Sequence, residues 1–142
     1  MRIYLDNCCY NRPFDSQAQV KVFLETVAKL SIQQKMRAGE VEYVWSSVLE
    51  FEIRKSKFVD RASRILPWES GAVVNVEVDY GIRCRAKEFE AAGLKPVDAL
   101  HVACAESADC DWFFTTDNGI LKKGKALTSM CIANPLEFFG GD

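Results

Sequence analysis

The chain has 142 residues and a formal net charge of −2, with 49% hydrophobic and 27% charged residues. This length favours one domain, residues 1–142, with a single hydrophobic core, and the composition excludes a disordered tail or a fibrous repeat. No apolar run approaches the roughly 18 residues of a membrane span, so we expect a cytoplasmic protein that does not associate with a membrane.

Strand and helix patterns alternate along the chain. In chain order, they predict a strand at residues 2–5, a helix at 17–37, a strand at 41–45, a helix from residue 48, a strand at 73–76, helices at 80–92 and 96–107, and strands at 112–116 and 127–132. Parallel neighbours in a sheet need crossover connections, which helices supply. The alternation therefore predicts an α/β fold in which a parallel sheet is flanked by helices on both faces.

Three aspartates lie at or near the ends of these predicted elements. Asp6 follows the first strand, and Asp117 follows the strand at 112–116. Ligands of parallel sheets bind beyond the carboxyl ends of the strands, so these two acids are candidates for one site. Asp98 lies in the first turn of a helix that is apolar nearly all round, which should carry it into the interior. Each acid alone is also typical of a turn or a helix cap.

A fourth acid comes from the helix that begins at Val48, where Glu50 and Glu52 are both candidates. On a helix, Glu52 shares a face with Val48 and Leu49, which directs it toward the core. Glu50 instead aligns with Arg54, an arrangement typical of an exposed ion-pair face. We therefore favour Glu52.

Four carboxylates in one place would repel one another strongly. At an effective dielectric constant of about 20, two charges about 4 Å apart cost about 4 kcal/mol. A hard divalent cation such as Mg²⁺ or Mn²⁺ compensates, because it takes oxygen ligands and can bridge to a substrate phosphate. Such an ion can also activate water and offset the charge that develops on a phosphodiester. The expected metal-binding and catalytic residues are thus Asp6, Glu52, Asp98 and Asp117.

Basic residues cluster close in sequence to these acids, although the net charge is negative. They are Arg54, Lys55 and Lys57 in one cluster and Lys122, Lys123 and Lys125 in another. Lysine and arginine bind nucleic acid by neutralising phosphates and releasing counterions. We expect the two clusters to flank the acidic pocket and bind RNA phosphates, although each cluster alone is also typical of a solvated helix face.

Four segments together resemble the PIN-domain family over most of the chain. They are the strand ending in Asp6 and Asn7, the Trp-Ser-Ser-Val-Leu-Glu-Phe-Glu stretch at 45–52, the Val-Asp-Ala-Leu-His-Val-Ala helix at 97–103 and the Phe-Phe-Thr-Thr-Asp motif at 113–117. The last two are the most specific in this order and spacing. The resemblance implies a PIN-like fold and a divalent-metal endoribonuclease, more narrowly the toxin of a toxin–antitoxin pair.

The resemblance also implies site residues and partners. The family's conserved acids fall on Asp6, on Glu52 or Glu50, on Asp98 and on Asp117. Asn7, Glu50 and Thr116 lie beside these acids as supporting residues, and the Thr116 hydroxyl is placed to hydrogen-bond a ligand. The expected partners are RNA and a small antitoxin protein, and a homodimer is a candidate assembly.

His101, the single histidine, lies one helical turn after Asp98. Its apolar neighbours favour a buried structural histidine, so it is left out of the catalytic set.

The main alternative function is a catalytically silent PIN-like module that binds RNA or a protein, and the retained acids weigh against it. A receiver-like α/β domain is a weaker alternative, because it would leave Asp98 inside an apolar helix unexplained.

Overall fold

The strands form one sheet in which the pairings are parallel. In the computed structural model, which describes residues 1–139, they are β1 (Arg2–Leu5), β2 (Glu42–Ser46), β3 (Val74–Val76), β4 (Trp112–Phe114) and β5 (Cys131–Ala133). Their order across the sheet is β3-β2-β1-β4-β5. The predicted α/β fold built on a parallel sheet is therefore confirmed.

Helices make the connections between these strands. They are α1 (Asn7–Asn11), α2 (Val20–Arg37), α3 (Ser47–Lys55), α4 (Val59–Ile65), α5 (Tyr80–Ala91), α6 (Pro96–Ser107) and α7 (Asn118–Gly124), with 3₁₀ turns at Arg12–Phe14, Leu66–Gly71 and Pro135–Phe138. The chain moves outward from β1 to β3 and then crosses to β4 and β5. Right-handed crossovers therefore place the helices of the two halves on opposite faces of the sheet.

Two short helices, α1 and α7, are not predicted from the sequence, and the helix expected from residue 48 to about Arg64 is divided into α3 and α4. Both α1 and α7 begin directly after an acid whose side chain accepts a backbone N–H group: Asp6 accepts from Asn7, and Asp117 accepts from Ile120. A helix of five to seven residues is too short to show apolar periodicity in the sequence. The aspartate that caps it is equally typical of a turn.

Some predicted boundaries are wrong by a few residues. The helix expected from residue 17 begins at Val20, because the Gln17 side chain donates to the Arg12 and Asp15 carbonyls and closes a turn first. The strand expected at 127–132 is Cys131–Ala133, because Thr128 turns away and donates its hydroxyl to Glu106 at 2.7 Å. Both differences come from side-chain contacts that local propensity does not report.

Helix α2 turns its polar face toward the protein. Glu25 is fully buried, forms an ion pair with Arg12 at 2.9 Å and accepts a hydrogen bond from Asn134. Lys29 is also buried, and burial lowers its pKa to about 8. The solvent-facing stripe, in which each side chain is at least 45% exposed, consists of Val20, Phe23, Leu24, Val27 and Leu30. Amphipathic helices ordinarily bury such a stripe, so α2 presents an apolar face that residues 1–139 leave uncovered.

The centre of the sheet determines where a site can form. Ile3, Tyr4 and Leu5 of β1 are fully buried, and the chain reaches the two neighbours of β1 by separate crossovers. In such sheets the carboxyl ends of the strands at this reversal form a crevice. Asp6 follows β1 and Thr115 follows β4 at this edge. Among the helices of residues 1–139, none is long and apolar enough to cross a membrane.

Candidate active site

Asp6 is a buried carboxylate whose orientation is fixed by three donors. Its Oδ1 accepts the backbone N–H of Asn7 at 2.8 Å, and its Oδ2 accepts the Thr115 hydroxyl at 2.8 Å. The half-buried Cys8 thiol donates to Oδ2 at 3.4 Å. Because buried carboxylates need such partners, this end of β1 is built to hold a charged group in one position.

Glu52 and His101 meet Asp6 from two different helices. Glu52 of α3 is hydrogen-bonded through Oε1 to Nε2 of His101, which is fully buried on α6. The same Nε2 lies 3.7 Å from Oδ1 of Asp6. One ligand atom from each residue lies within 4.8 Å of the other two. The pKa of His101 is raised, because hydrogen bonding to Glu52 and the nearby carboxylate charges outweigh the lowering effect of burial.

Asp98 and Asp117 line a cavity of about 160 Å³. Asp98 is partly buried in the first turn of α6, whereas Asp117 is exposed and caps α7. Burial, and then the charges of Asp6 and Asp117, together raise the pKa of Asp98 to about 6. The acids predicted from four separate segments therefore interact electrostatically at one edge of the sheet.

The second helix candidate, Glu50, lies on the opposite side of α3. Its carboxylate is 3.9 Å from Arg54, and both side chains are exposed. Glu52 instead faces the buried histidine. The structure thus brings Glu52 to the acidic cluster and leaves Glu50 on the surface.

Threonine and asparagine side chains surround the acids, in a different arrangement from the expected one. The hydroxyl that bridges two acids belongs to Thr115, which donates to Asp6 and accepts the Asp117 backbone N–H at 3.1 Å. Thr116 contacts the cluster through its backbone N–H, which donates to the Cys8 sulfur at 3.3 Å. The Asn7 side chain accepts from Asn11 at 2.8 Å, one turn along α1.

The two basic clusters lie in different environments. Lys123 lines the cavity of Asp98 and Asp117 together with Lys95, and its ammonium donates to the Gly93 carbonyl at 3.2 Å. Lys122 is exposed on α7. The first cluster lies at and after the C-terminus of α3, where Lys55 and Lys57 sit over the rings of Phe51 and Phe58 and Arg54 pairs with Glu50.

Sequence reasoning left out His101 and Thr115, which both contact Asp6 or Glu52. His101 is buried as expected, but its ring points at the acids rather than only at apolar neighbours. The spacing from Asp98 to His101 is three residues, which places both on one face of α6 and is the signal that could have identified it. The sequence alone does not show which of Thr115 and Thr116 directs its hydroxyl at Asp6, because that depends on the residue at which β4 ends.

The donor set of Asp6, Glu52 and His101 fits a divalent cation. Ions of this class bind oxygen ligands at about 2.1 Å, so opposite ligands stand about 4.2 Å apart. The observed donors lie within 4.8 Å of one another. Nε2 of His101 and Oε1 of Glu52 are in direct contact, so a shared ion would separate these two atoms slightly and take the place of the proton between them. Carboxylates are ordinary ligands of such ions, and an imidazole is an ordinary ligand of transition-metal ions. Asp98 and Asp117 line one small cavity, and Asp98 is close enough to Asp6 and Glu52 to be affected by their charges, so both could complete the oxygen shell, directly or through water.

Comparisons with known proteins agree with this fold. The family model described as PIN domain matches residues 22–126. FitAcB from Neisseria gonorrhoeae is similar in structure with a TM-score of 0.61 at 13% identity, over 94% of this chain and 97% of that one. VapBC2 from Rickettsia felis, bound to a DNA fragment from its promoter, gives a TM-score of 0.57 at 12% identity, over 94% and 98%.

DNA-bound VapBC from Salmonella typhimurium gives a TM-score of 0.59 at 13% identity, over 95% of this chain and 98% of that one. At these identities the likeness shows a shared fold. No curated protein sequence matches the chain. The family model, in contrast, spans most of the sequence from α2 to the residues after α7. The chain therefore belongs to the PIN-domain family.

Proposed function

We propose that this protein is a divalent-metal-dependent endoribonuclease that hydrolyses RNA phosphodiester bonds, and that it is the toxin component of a toxin–antitoxin pair. The observation that carries the proposal is the meeting of Asp6, Glu52, Asp98 and Asp117 at the carboxyl edge of the sheet. Besides burial, the charges of Asp6 and Asp117 raise the pKa of Asp98, and this repulsion favours a cation-binding role for the arrangement. Membership of the PIN-domain family supports nuclease chemistry at that cation.

The chain's own residues have distinct roles in this proposal. Asp6 and Glu52 would hold Mg²⁺ or Mn²⁺ with Asp98 and Asp117, and Thr115 keeps the Asp6 carboxylate in place. The cation supplies water activation and charge stabilisation on the phosphodiester. Lys123 lies on the wall of the same cavity and would bind a flanking phosphate.

A cleavage assay on single-stranded RNA tests the proposal. The wild-type protein is expected to cut RNA with added Mn²⁺ or Mg²⁺ and to lose that activity in excess EDTA. Cleavage that is equally fast in EDTA would overturn the metal mechanism. Metal-independent RNA binding without cleavage would instead support the catalytically silent binding module.

The basic residues are expected to contribute to RNA affinity by neutralising phosphates. Lys123→Gln should weaken binding of a single-stranded RNA and reduce the slope of log affinity against log salt by about 0.7, the value for one phosphate contact on a single strand. Arg54→Gln tests the first cluster in the same way. A salt titration by fluorescence anisotropy measures both, and an unchanged slope for both variants would contradict the placement of the two clusters at the RNA.

The exposed apolar stripe of α2 supports a protein partner, and we propose that a small antitoxin covers it. Apolar anchors at three- and four-residue spacing are what a helix or extended segment of a partner packs against. Full burial of a leucine side chain is worth about 1.5–3 kcal/mol, and a lysine at the same position would have to bury a charge. Leu24→Lys is therefore expected to prevent co-purification of a small co-expressed protein encoded beside this chain.

Val59→Lys is the matched control for that experiment, because Val59 is 74% exposed and lies on α4, outside the stripe. It should leave co-purification unchanged. The mass of the free protein tests the homodimer separately. If the wild-type protein has the mass of two chains and Leu24→Lys that of one, the stripe binds a second copy rather than an antitoxin.

A further inference from the structure

We propose that His101 is a direct ligand of the divalent cation and that its nitrogen makes the site prefer Mn²⁺ over Mg²⁺. Tyr4 is the residue that positions it. The proposal rests on the metal site of the proposed function and adds a ligand and a metal preference that the acids alone would not produce.

The position of the His101 imidazole is the first observation that supports a ligand role. His101 has no exposed surface, and its Nε2 contacts Oε1 of Glu52 and lies 3.7 Å from Oδ1 of Asp6. In the metal-free protein this nitrogen is hydrogen-bonded to Glu52, and a cation that took the place of the proton would keep the same two carboxylates as neighbours. An ion bound by Asp6 and Glu52 would therefore lie within reach of this nitrogen.

The other ring nitrogen is held by a buried chain of hydrogen bonds. Nδ1 of His101 is 2.6 Å from the Tyr4 hydroxyl, which is 2.7 Å from the Ser46 hydroxyl. Ser46 in turn accepts the backbone N–H of Leu49 at 3.1 Å and so is tied to the start of α3. With Nε2 facing a cation, the proton of the neutral ring lies on Nδ1 and the Tyr4 oxygen accepts it. Metal-binding histidines ordinarily have such a partner on the second nitrogen.

Tyr4 itself has little freedom to move. Its ring is fully buried and stacks on Phe113 of the neighbouring strand, with centroids 5.3 Å apart and an interplanar angle of 9°. The hydroxyl is therefore fixed relative to the sheet, and it fixes the imidazole. Tyr4 acts through His101 and is a positioning residue.

The chemistry of the donor then determines which ion the site prefers. Mg²⁺ is a hard cation that favours oxygen ligands. Mn²⁺ also binds oxygen ligands, but as a first-row transition ion it accepts a nitrogen ligand more readily than Mg²⁺ does. A site of carboxylates alone would bind Mg²⁺ and Mn²⁺ by the same ligands. A site that includes Nε2 of His101 gains affinity for Mn²⁺ without a matching gain for Mg²⁺.

Pulsed EPR of Mn²⁺ bound to the wild-type protein tests the ligand directly. The chain has one histidine, so ¹⁵N-histidine labelling of protein purified without a histidine tag labels His101 alone. We expect a nitrogen hyperfine coupling to Mn²⁺ that changes from the ¹⁴N to the ¹⁵N pattern on labelling. This measurement needs no variant, so it does not depend on whether a substitution at a buried position folds.

Calorimetric titration with Mn²⁺ and Mg²⁺ tests the preference and the role of Tyr4. Tyr4→Phe should weaken Mn²⁺ binding by about 10-fold or more, the usual effect of losing a partner of a metal-binding histidine, and change Mg²⁺ binding much less. His101→Gln should remove the preference for Mn²⁺. Tyr80→Phe is the matched control, because Tyr80 is 82% exposed, and it should change neither affinity.

The outcomes separate this inference from the proposed function. Mn²⁺ binding and metal-dependent cleavage without a histidine coupling would overturn the ligand role of His101 and leave the metal nuclease standing. Equal weakening of Mn²⁺ and Mg²⁺ binding in Tyr4→Phe would overturn the preference. Absence of any Mn²⁺ or Mg²⁺ binding, with no metal-dependent cleavage, would overturn both proposals.

Discussion

Replacing Asp98 by Asn is expected to stabilise the metal-free protein while abolishing the proposed metal-dependent RNA cleavage. Burial, and then the charges of Asp6 and Asp117, raise the pKa of Asp98 to about 6, so at neutral pH the fold carries a carboxylate that is costly to ionise. A rise of this size is worth at most about 3 kcal/mol. Solvent screening of a partly exposed group reduces the expected gain to about 1 kcal/mol. That gain corresponds to roughly 2–4 °C in Tm for a domain of this length.

Melting curves in EDTA, together with an RNA cleavage assay in Mn²⁺, measure both sides of this prediction. Loss of a ligand should reduce cleavage by at least about 100-fold, since losing a residue that only supports a ligand already costs up to that factor. Stability and activity should thus change in opposite directions. A variant with unchanged Tm and full activity would remove Asp98 from the site.

The pH dependence identifies the source of the stability gain. The pKa of Asp98 in the folded protein, about 6, lies above the value of 3.8 for an unperturbed aspartate, so the folded state binds the proton more tightly than the unfolded state. The penalty is therefore absent at low pH and grows as pH rises from about 4 through about 6. In the absence of metal, the difference in unfolding free energy between Asp98→Asn and the wild type should increase across that pH window and stay constant above it. A stability difference between the two proteins that is the same at every pH would mean that the ionisation of Asp98 is not its cause.

Asp6→Asn is expected to lose cleavage without the gain in stability. The two Asp6 oxygens accept hydrogen bonds from the Asn7 backbone, the Thr115 hydroxyl and the Cys8 thiol. An asparagine would turn its NH₂ group toward one of these donors, and an unsatisfied buried donor costs about 1–3 kcal/mol. The contrast between Asp6 and Asp98 tests whether charge repulsion or hydrogen bonding dominates at each acid, and a gain in Tm at both positions would show that repulsion dominates throughout.

Replacing Glu52 by Gln is the second change with a large expected effect. Glu52 contacts His101 and belongs to the set of donors that lie within 4.8 Å of one another, so its loss would remove one carboxylate from the proposed cation site. Cleavage should fall by at least about 100-fold, and Mn²⁺ affinity should fall with it. The measurements are initial cleavage rates at saturating metal and a calorimetric titration.

Glu50→Gln is the matched control on the same helix. Its carboxylate is exposed and pairs only loosely with Arg54 at 3.9 Å, a contact worth about 0.5 kcal/mol or less. The variant should therefore cleave RNA at close to the wild-type rate and melt within about 1–2 °C of it. A larger loss at Glu50 than at Glu52 would mean that the second acid of the site is the exposed one.

Local patterns were sufficient to predict the parallel sheet and the approximate position of most elements. Strand and helix periodicities are properties of short windows, and crossover connections follow from their alternation. The placement of acids after strands is also local information. Asp6 and Asp117 could therefore be assigned to one edge of the sheet before any contact between them was known. The short helices α1 and α7 were missed because each reads as a turn after an acid.

Contacts between distant residues decided the rest. Glu25 faces inward on α2 because Arg12 and Asn134, the latter 109 positions away, satisfy its carboxylate. No periodicity argument includes those partners, so the exposure of the apolar stripe could not be predicted from the helix alone.

Tertiary contacts likewise determine the role of the single histidine. Tyr4 holds one nitrogen of His101 and Glu52 meets the other, across 97 and 49 positions of chain. The residue types and spacings of this sequence determine its fold class and select its acids. Which side chains complete the acidic site depends on pairings across the sheet, because a buried polar group takes its orientation from whichever partner the fold brings within hydrogen-bond distance.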